Sequence, residues 1–353
     1  MRIDRLRAAN LRCHEQVELA PNVGVTAIVG PNGSGKTSLL EAAHLAMHGV
    51  GLRPTSDNRM IREGTPGLGV LLDGTTGGAA ARVRIELRPG ARTAQLNGEQ
   101  VDGRTLRSAW ATVTFIPDVM DLIKQGPAVR RLAMDRAIEA AWPRFEEHGR
   151  AYRHAMEQRN AVLRRVRRRE GSEHELDPWD AQLADSGALI VEARERLIER
   201  CQSLFMERVE ALGSPLPGTL SYVPAGPASS TDLLSALAAR RREDLDRQTT
   251  GVGPHLDDLD VRLAGRDARR SASQGEQRTL VLAFLLAQAA LVMETRGEQP
   301  ILLLDDVLSE LDRDRRSRLV HLARDHGQVL LTATGADGVD ALADAIHELA
   351  PTP

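Results

Sequence analysis

The residues with the clearest chemistry lie in the stretch Gly30-Pro31-Asn32-Gly33-Ser34-Gly35-Lys36-Thr37. This stretch matches the pattern G-x-x-x-x-G-K-[ST], in which glycines let backbone N–H groups converge on phosphate oxygens. The lysine supplies a point charge to the β- and γ-phosphates, and the hydroxyl supplies a ligand to Mg²⁺. We therefore predict that these eight residues bind a nucleoside triphosphate, with Lys36 catalytic and Thr37 a metal ligand.

Two acidic residues follow an apolar run near the end of the chain. Ile301–Leu304 is continuously apolar, and Asp305 and Asp306 come directly after it. Such a run predicts a buried parallel strand, whose carboxyl end lies where open α/β sheets bind ligands. We expect Asp305 to hold Mg²⁺ and Asp306 to orient and deprotonate the attacking water. An apolar strand that ends in aspartate is common, so this motif gains its weight from its pairing with the glycine-rich one.

A third motif starts a helix at Ser273-Gln274-Gly275. It resembles the signature sequence of ABC-type ATPases, which contacts the γ-phosphate of a nucleotide held by the opposite subunit. The resemblance implies that Ser273 is catalytic and that Gln274 and Gly275 lie beside the nucleotide; a plain helix N-cap is the alternative interpretation. Ser309-Glu310-Leu311-Asp312 resembles the D-loop of the same superfamily and adds Asp312 to the nucleotide site.

The elements that must position these motifs can be placed from apolar patterns. Residues 23–29 predict a buried strand before the glycine-rich loop, and the spacing of Leu39, Leu40, Ala43 and Met47 predicts a helix after it. Further strands are predicted at 69–72, 82–87, 93–96 and 111–116, with turns at Asp73-Gly74, Pro89-Gly90 and Asn97-Gly98.

Between the motifs lie two long helical runs, 128–170 and 179–212, joined by a short polar connection. They predict an antiparallel helical hairpin inserted into a discontinuous core. The predicted domains are an N-terminal lobe of an ATPase core with the phosphate loop (1–125), a helical hairpin arm (126–212) and the continued core with the other motifs (213–353). The fold class is α/β, an ABC-type ATPase head of mixed sheet plus antiparallel β layer with this insertion.

The stretch Thr250–Asp258 contains Gly-Pro-His-Leu-Asp-Asp and resembles the Gly-Pro-His-x-Asp-Asp motif of the RecF family of bacterial recombinational-repair ATPases, which have SMC-like heads. Further agreement lies in Leu39–Ala42, in Arg53, Asp57 and Ile61, in Phe115–Asp118, in Gly126, Pro127, Arg130 and Arg131, and in Pro300–Asp312.

The resemblance implies a weak ATPase that binds ATP and Mg²⁺ and forms an ATP-dependent homodimer. The dimer would clamp double-stranded DNA at gapped junctions and act in replication, recombination and the SOS response to DNA damage. Its implied partners are RecR and RecO, with which it helps RecA replace single-strand-binding protein.

One departure from the family pattern, and one from the pattern of transporter ATPases that is typical of the family, concern the nucleotide. Arg12-Cys13-His14 stands where the family writes Arg-Asn-Tyr, and Arg12 is retained as a predicted nucleotide ligand. Thr332-Ala333-Thr334 stands where transporter ATPases have a switch histidine, which indicates slow hydrolysis with the γ-phosphate sensed by hydroxyls.

Duplex DNA contacts are predicted in two places. The segment 150–169 contains eight arginines and one acidic residue, and one-signed charge repels itself unless a polyanion compensates it; a solvated helix face is the alternative. Its candidates are Arg164, Arg165, Arg167, Arg168 and Arg169. Candidates on the core are Arg53, Arg59, Arg62, Lys124, Arg130 and Arg131.

Composition excludes several other classes of protein. The chain has 353 residues, net charge −3 and two cysteines, and it has no apolar run as long as the ~20 residues of a membrane span. A cytoplasmic protein without membrane contact is expected. Nine aromatic residues (three Trp, two Tyr, four Phe) leave few platforms for stacking single-stranded bases. Two other functions stay open: a nucleotide-binding regulator without useful hydrolysis, and a transport-energising ABC ATPase. The second is disfavoured by the missing histidine and by the long separation of Thr37 from Ser273, with the helical hairpin between them.

Overall fold

The computed structural model describes residues 1–52, 57–116, 120–309, 311–335 and 339–350. The chain divides into two compact units. The core unit comprises residues 1–120, 204–217 and 273–353, and the arm unit comprises residues 121–203 and 218–272.

The strands are β1 (Arg2–Leu11), β2 (His14–Leu19), β3 (Val25–Val29), β4 (Leu68–Thr76), β5 (Ala79–Arg88), β6 (Ala91–Leu96), β7 (Glu99–Gln100), β8 (Thr112–Phe115), β9 (Gly218–Val223), β10 (Asp258–Leu263), β11 (Arg266–Asp267), β12 (Ile301–Leu304), β13 (Val329–Ala333) and β14 (Ala345–Glu348). The helices are α1 (Lys36–His48), α2 (Gly103–Ala109), α3 (Asp121–Lys124), α4 (Pro127–Ala141), α5 (Phe145–Arg167), α6 (Asp177–Ala211), α7 (Ser230–Arg247), α8 (Ala268–Ser271), α9 (Gln274–Arg296) and α10 (Arg313–Arg324).

A five-stranded sheet in the order β14-β3-β13-β12-β8 forms the centre of the core unit. All its described pairings are parallel, and every residue of β3, β12 and β13 is buried. Sheets covered on both faces require such continuous apolar strands, which is why the sequence pattern revealed them. Because parallel strands end at one edge, the residues that follow β3 and β12 meet the last residues of β13 there.

A six-stranded antiparallel sheet, in the order β2-β1-β4-β5-β6-β7, forms the predicted second β layer. The turns at Pro89-Gly90 and Asn97-Gly98 are confirmed, but the turn predicted at Asp73-Gly74 is wrong. Strand β4 continues through Asp73, whose carboxylate pairs with Arg7 and Arg82 on the neighbouring strands at 3.0 and 2.5 Å. The chain reverses instead at Gly77 and Gly78, where φ is 59° and 73°.

Two features join the elements of the core unit. The amide of Gln328 donates to the Ile3 carbonyl at 2.9 Å and accepts from the Ile3 N–H at 2.7 Å, which links the segment before β13 to β1 of the antiparallel sheet. Helix α9 is long and apolar enough to cross a membrane, but 78% of its apolar window is buried inside the structure. The helix therefore serves as a central packing element of this unit.

The arm unit contains α4, α5, α7, most of α6 and a three-stranded sheet in the order β11-β10-β9. The first predicted helical run is interrupted at residues 142–144, where Pro143 cannot continue the helix, so α4 and α5 are separate. The second run is the single 35-residue helix α6.

The compact units differ in extent from the predicted domains. Residues 218–272, predicted as part of the core, cluster with the helices, because α7 packs on α5 and β10 packs on α4. Residues 204–217 cluster with the core instead. The α/β class, the antiparallel layer and the helical insertion are as predicted.

Candidate nucleotide-binding site

The loop from Gly30 to Thr37 joins β3 to α1 and has the backbone geometry that its glycines permit. Gly33 and Gly35 have φ of 85° and 86°, in the left-handed region that other residues rarely adopt. A Cβ added to Gly35 would lie 2.0 Å from His14 Nε2 and 2.7 Å from Cys13 Sγ, so these two side chains would have to move for any other residue at this position. The loop leads directly into the N-terminus of α1, whose free backbone N–H groups favour a bound phosphate.

Ser34 and Lys36 present polar groups inside that loop. The Ser34 side chain is 1% exposed, and its Oγ has no hydrogen-bond partner among the described residues. Lys36 Nζ donates to the carbonyls of Gly30 and Pro31 at 2.7 and 2.8 Å. Burial lowers the pKa of Lys36, against the opposing charges of two nearby carboxylates, Asp306 and Asp305. An orphan hydroxyl and a partly desolvated ammonium fit a bound phosphate.

Thr37 and Asp305 bring two oxygen ligands together at the end of the loop. Thr37 Oγ1 lies 2.8 Å from Asp305 Oδ1 and 3.0 Å from Oδ2, and Asp305 is buried. Thr332 Oγ1 donates to the same Oδ1 at 2.8 Å. Hydroxyl and carboxylate oxygens are the ligands that Mg²⁺ takes beside nucleotide phosphates. The residues present therefore fit the predicted ion.

Asp306 stands in a backbone conformation that is unusual for a residue with a side chain. Its φ is 50°, which costs about 1–2 kcal/mol in a non-glycine residue, although aspartate is among the residues that tolerate it best. The Asp306 N–H donates to Thr332 Oγ1 at 2.8 Å. Thr332, a hydroxyl at the position where the switch histidine is missing, thus contacts both acidic residues.

Ser273 is the N-cap of α9 in this single chain. Its Oγ accepts the Glu276 N–H at 3.4 Å, and its own N–H donates to Glu276 Oε2 at 2.7 Å, a reciprocal capping box. The Ser273 N–H and the Ser273 hydroxyl, which also donates to Glu276 Oε2 at 2.8 Å, lower the pKa of Glu276. Ser273 and Gln274 are exposed, so the capping interpretation holds here and leaves their outer surface open.

Two other predicted nucleotide ligands lie close to these motifs. Arg12 Nη2 pairs with the buried Glu41 of α1 at 2.5 Å, which places Arg12 against the helix that follows the loop. Asp312 caps α10 by accepting the Arg315 N–H at 2.8 Å. Arg315 in turn approaches the signature, since a Cβ at Gly275 would lie 3.1 Å from its Nη1. Glu310 lies outside the described residues.

The predicted DNA ligands of the core unit are only partly placed. Arg59 is exposed and Arg62 is half-buried, whereas Arg53 lies outside the described residues.

In the arm unit, Arg130 is a correction to the predicted DNA surface. Its side chain is 10% exposed and makes a bidentate pair with Asp258 at 2.6 and 2.9 Å, so its charge is already neutralised. Arg131 donates to the Asp257 carbonyl at 2.7 Å, and burial lowers its pKa. Lys124 is exposed.

The arginine-rich end of α5 is less one-sided than its sequence indicates. Arg159, inside the segment, is fully buried and belongs to the interior. Arg165 pairs with Glu175, and Arg167 lies 3.5 Å from Asp246. The connection to α6 also returns acidic residues, Glu170, Glu173, Glu175 and Asp177. Arg164, Arg168 and Arg169 remain exposed and have no ion pair within the described ranges.

Sequence reasoning missed two residues of the site, Arg278 and Phe115. Arg278 Nη2 donates to the Asp306 carbonyl at 3.3 Å, and its guanidinium carbon lies 5.6 Å from the centre of the Phe115 ring. Phe115 also accepts the Asp305 N–H at 2.8 Å through its carbonyl. The sequence feature that could have indicated Arg278 is its place directly before the apolar run that starts at Thr279. An arginine in such a buried position is expected only when its guanidinium has interaction partners.

Comparison with known proteins gives matches over nearly the whole chain. Residues 2–349 match the family model described as RecF/RecN/SMC N terminal domain. The DNA replication and repair protein RecF of Myxococcus xanthus is 35% identical, and the match covers 95% of this chain and 91% of that protein. The solved structure of the recombination mediator protein RecF-ATP in the RecFOR pathway has a TM-score of 0.89 at 25% identity and covers 98% of this chain and 95% of that one. An Smc head bound to the C-winged helix domain of ScpA has a TM-score of 0.61 at 18% identity, covers 99% and 94%, and supports the fold alone.

Proposed function

This chain belongs to the RecF family of DNA replication and repair proteins, and on that premise we propose that it is an ATP-dependent DNA-binding protein of recombinational repair and replication. Its chemistry is a slow hydrolysis of ATP to ADP and phosphate. The observation that carries this proposal is the convergence of Thr37 Oγ1 and the Asp305 carboxylate, 2.8 Å apart, at the end of the loop that holds Lys36.

Each of these side chains has a role in hydrolysis. The loop N–H groups and Lys36 bind the β- and γ-phosphates, while Thr37 and Asp305 would hold Mg²⁺, which offsets the charge that develops on the phosphates. Asp306 orients a water molecule and takes its proton as the water oxygen bonds to the γ-phosphorus and the bond to the ADP oxygen breaks. Thr332 accepts from the Asp306 N–H and donates to the Asp305 carboxylate, and so fixes the position of the two aspartates relative to each other.

The second half of the site comes from another copy of the chain. The exposed Ser273 and Gln274 and the half-buried Gly275 lie at the start of a 23-residue helix, whose N-terminus attracts an anion. The site of ATP bound to one subunit would be completed by this segment of the partner subunit, with Asp312 nearby. ATP thereby holds a homodimer together, and hydrolysis releases it.

The ATP-bound dimer clamps double-stranded DNA next to single-stranded gaps. The proposed contacts with the DNA phosphate backbone are Arg59, Arg62, Lys124, Arg131 and the exposed Arg164, Arg168 and Arg169 at the end of α5. Arg130 is not among them, because its charge is paired with Asp258. By family membership, RecR and RecO are the proposed partners, and the outcome is the loading of RecA in place of single-strand-binding protein. A cytoplasmic location accords with this role.

Sizing chromatography with ATP, ADP or no nucleotide, each with and without duplex DNA, tests the proposal. We expect a dimer and tight DNA binding only with ATP, and loss of both in Lys36→Met. Arg88→Met, which removes an exposed arginine from β5, is the control. A mass and a DNA affinity that do not depend on ATP would contradict the gated clamp.

A further inference from the structure

Side chains of β13, of α9 and of the loop after β12 bind both backbone polar groups of Asp306. Thr332 Oγ1 of β13 accepts its N–H at 2.8 Å. Arg278 Nη2 of α9 and Ser309 Oγ donate to its C=O at 3.3 and 3.1 Å. The left-handed conformation of Asp306, with φ of 50°, is therefore fixed from both sides of the residue.

Arg278 is a buried member of this set. The residue is 5% exposed, and its guanidinium lies against the Phe115 ring, 5.6 Å from the ring centre. Phe115 ends strand β8, and its carbonyl receives the Asp305 N–H. A buried guanidinium is costly unless the structure uses its charge and donors. Here it reaches one acidic residue directly and the other through Phe115.

We propose that Arg278 is a positioning residue for ATP hydrolysis, which holds the Asp306 main chain so that the Asp306 carboxylate faces the phosphate-binding loop. The inference rests on the proposed role of Asp306 as the base. The position of Asp306 supports this separately, because it directly follows Asp305, whose carboxylate accepts a hydrogen bond from Thr37 of that loop at 2.8 Å.

The place of Arg278 in the chain adds a consequence. It lies five residues after Ser273, within the first turns of α9. A contact between Ser273 and the partner's nucleotide fixes the same helical segment that holds Asp306. Arg278 thus connects two sites: the Ser273 segment, which contacts the nucleotide of the partner subunit, and Asp306, which acts on the nucleotide of the same subunit.

The test compares single-turnover ATP hydrolysis with ATP affinity in Arg278→Ala. We expect the hydrolysis rate to fall about tenfold to hundredfold, since small displacements of a reacting group have effects of that size, while ATP affinity stays within about twofold. Arg278→Lys, which keeps a donor but loses the planar contact with Phe115, should recover part of the rate. Arg296→Ala is the matched control, because Arg296 also donates from α9 to a carbonyl, that of Ser108, but far from the site. It should lower stability and leave the rate unchanged.

Phe115→Leu keeps the apolar packing of β8 and removes the ring, so a rate decrease of about fewfold is expected even if Arg278→Ala fails to fold. Wild-type rates in Arg278→Ala, or in both Phe115→Leu and Arg278→Lys, would overturn the inference, as would a loss of ATP affinity that accounts for the whole effect. Asp306→Asn measured in parallel separates the two claims. Full activity of Asp306→Asn would contradict the role of Asp306 as the base. An inactive Asp306→Asn together with a fully active Arg278→Ala would contradict only the positioning role of Arg278.

Discussion

The chain contains two clusters of opposite charges that are assembled in different ways. In the arm unit, Arg159 is fully buried and donates to Asp180 at 2.6 Å and to Asp244 at 2.7 Å, both also fully buried. Arg194 is 4% exposed and bonds to Asp257 at 2.9 Å. Each cation is enclosed by its carboxylates, so no charge is left for a ligand.

In the core unit, the cation and the acids are held apart. Lys36 Nζ donates to two loop carbonyls, whereas Asp305 accepts from the hydroxyls of Thr37 and Thr332. Asp306 adds a strained backbone. A cluster whose charges neutralise one another stabilises a fold, and a cluster whose charges are kept separate by hydroxyls and backbone is ready for a charged ligand.

The largest expected effect is on stability, when the closed cluster of Arg159, Asp180 and Asp244 loses its arginine. Arg159→Met should lower the free energy of unfolding by about 3–5 kcal/mol, because it removes the guanidinium that pairs with the buried Asp244 and leaves the buried Asp180 with Arg241 as its cation. Urea unfolding measures this loss, with the exposed Arg168→Met as the control. A change below about 1 kcal/mol would mean that the cluster is not the closed ionic core described above.

The open cluster should respond in the opposite way. Asp306→Asn should reduce single-turnover ATP hydrolysis by about 10²- to 10³-fold and change stability by less than about 1 kcal/mol, since asparagine also tolerates a positive φ. Rapid-quench assays and thermal melts measure the two quantities. Unchanged hydrolysis would favour the nucleotide-binding regulator that the sequence left open.

The parts of this site that could be predicted from sequence are those that follow from strand order. Thr37 and Asp305 each follow a buried strand of one parallel sheet, so their meeting was predictable, and the structure brings them to 2.8 Å. The contact of Arg278 with Asp306 was not, because a positive φ at aspartate leaves no pattern in the sequence.

Burial of charged residues was equally hard to read. Arg159 and Arg130 stand among other arginines, and only their acidic partners, far along the chain, show that they are interior. The same limit explains Asp73, which has the composition of a turn but lies in a strand between two arginines.

A smaller effect should distinguish paired from unpaired arginines at the end of α5. Replacing Arg164, Arg168 and Arg169 by alanine should weaken duplex binding and reduce the slope of log affinity against log salt by about one per lost phosphate contact. Replacing Arg165 and Arg167, which already have acidic neighbours, should change the slope less. Equal slopes in wild type and both variants would identify the segment as solvated surface.

The smallest effect concerns pH. Burial lowers the pKa of His255, which accepts from Tyr152 OH at 2.7 Å and bonds to the Thr250 carbonyl. The unfolded chain therefore takes up the proton first, near pH 6.5, and stability falls as the pH decreases from there through the lower folded pKa. Urea unfolding of His255→Gln should show a weaker loss of stability on acidification than wild type. The exposed His174→Gln should match wild type, and an unchanged dependence in His255→Gln would contradict the assignment.

Mixing two inactive variants tests the central claim most directly. Lys36→Met has an intact signature but no nucleotide site, and Ser273→Arg has the reverse defect. If each site is completed by the partner subunit, the equimolar mixture should recover turnover of up to about half of wild type, because each mixed dimer has one intact site of two and Lys36→Met does not dimerise with itself. Full activity of Ser273→Arg alone, or a mixture no more active than its components, would contradict the account.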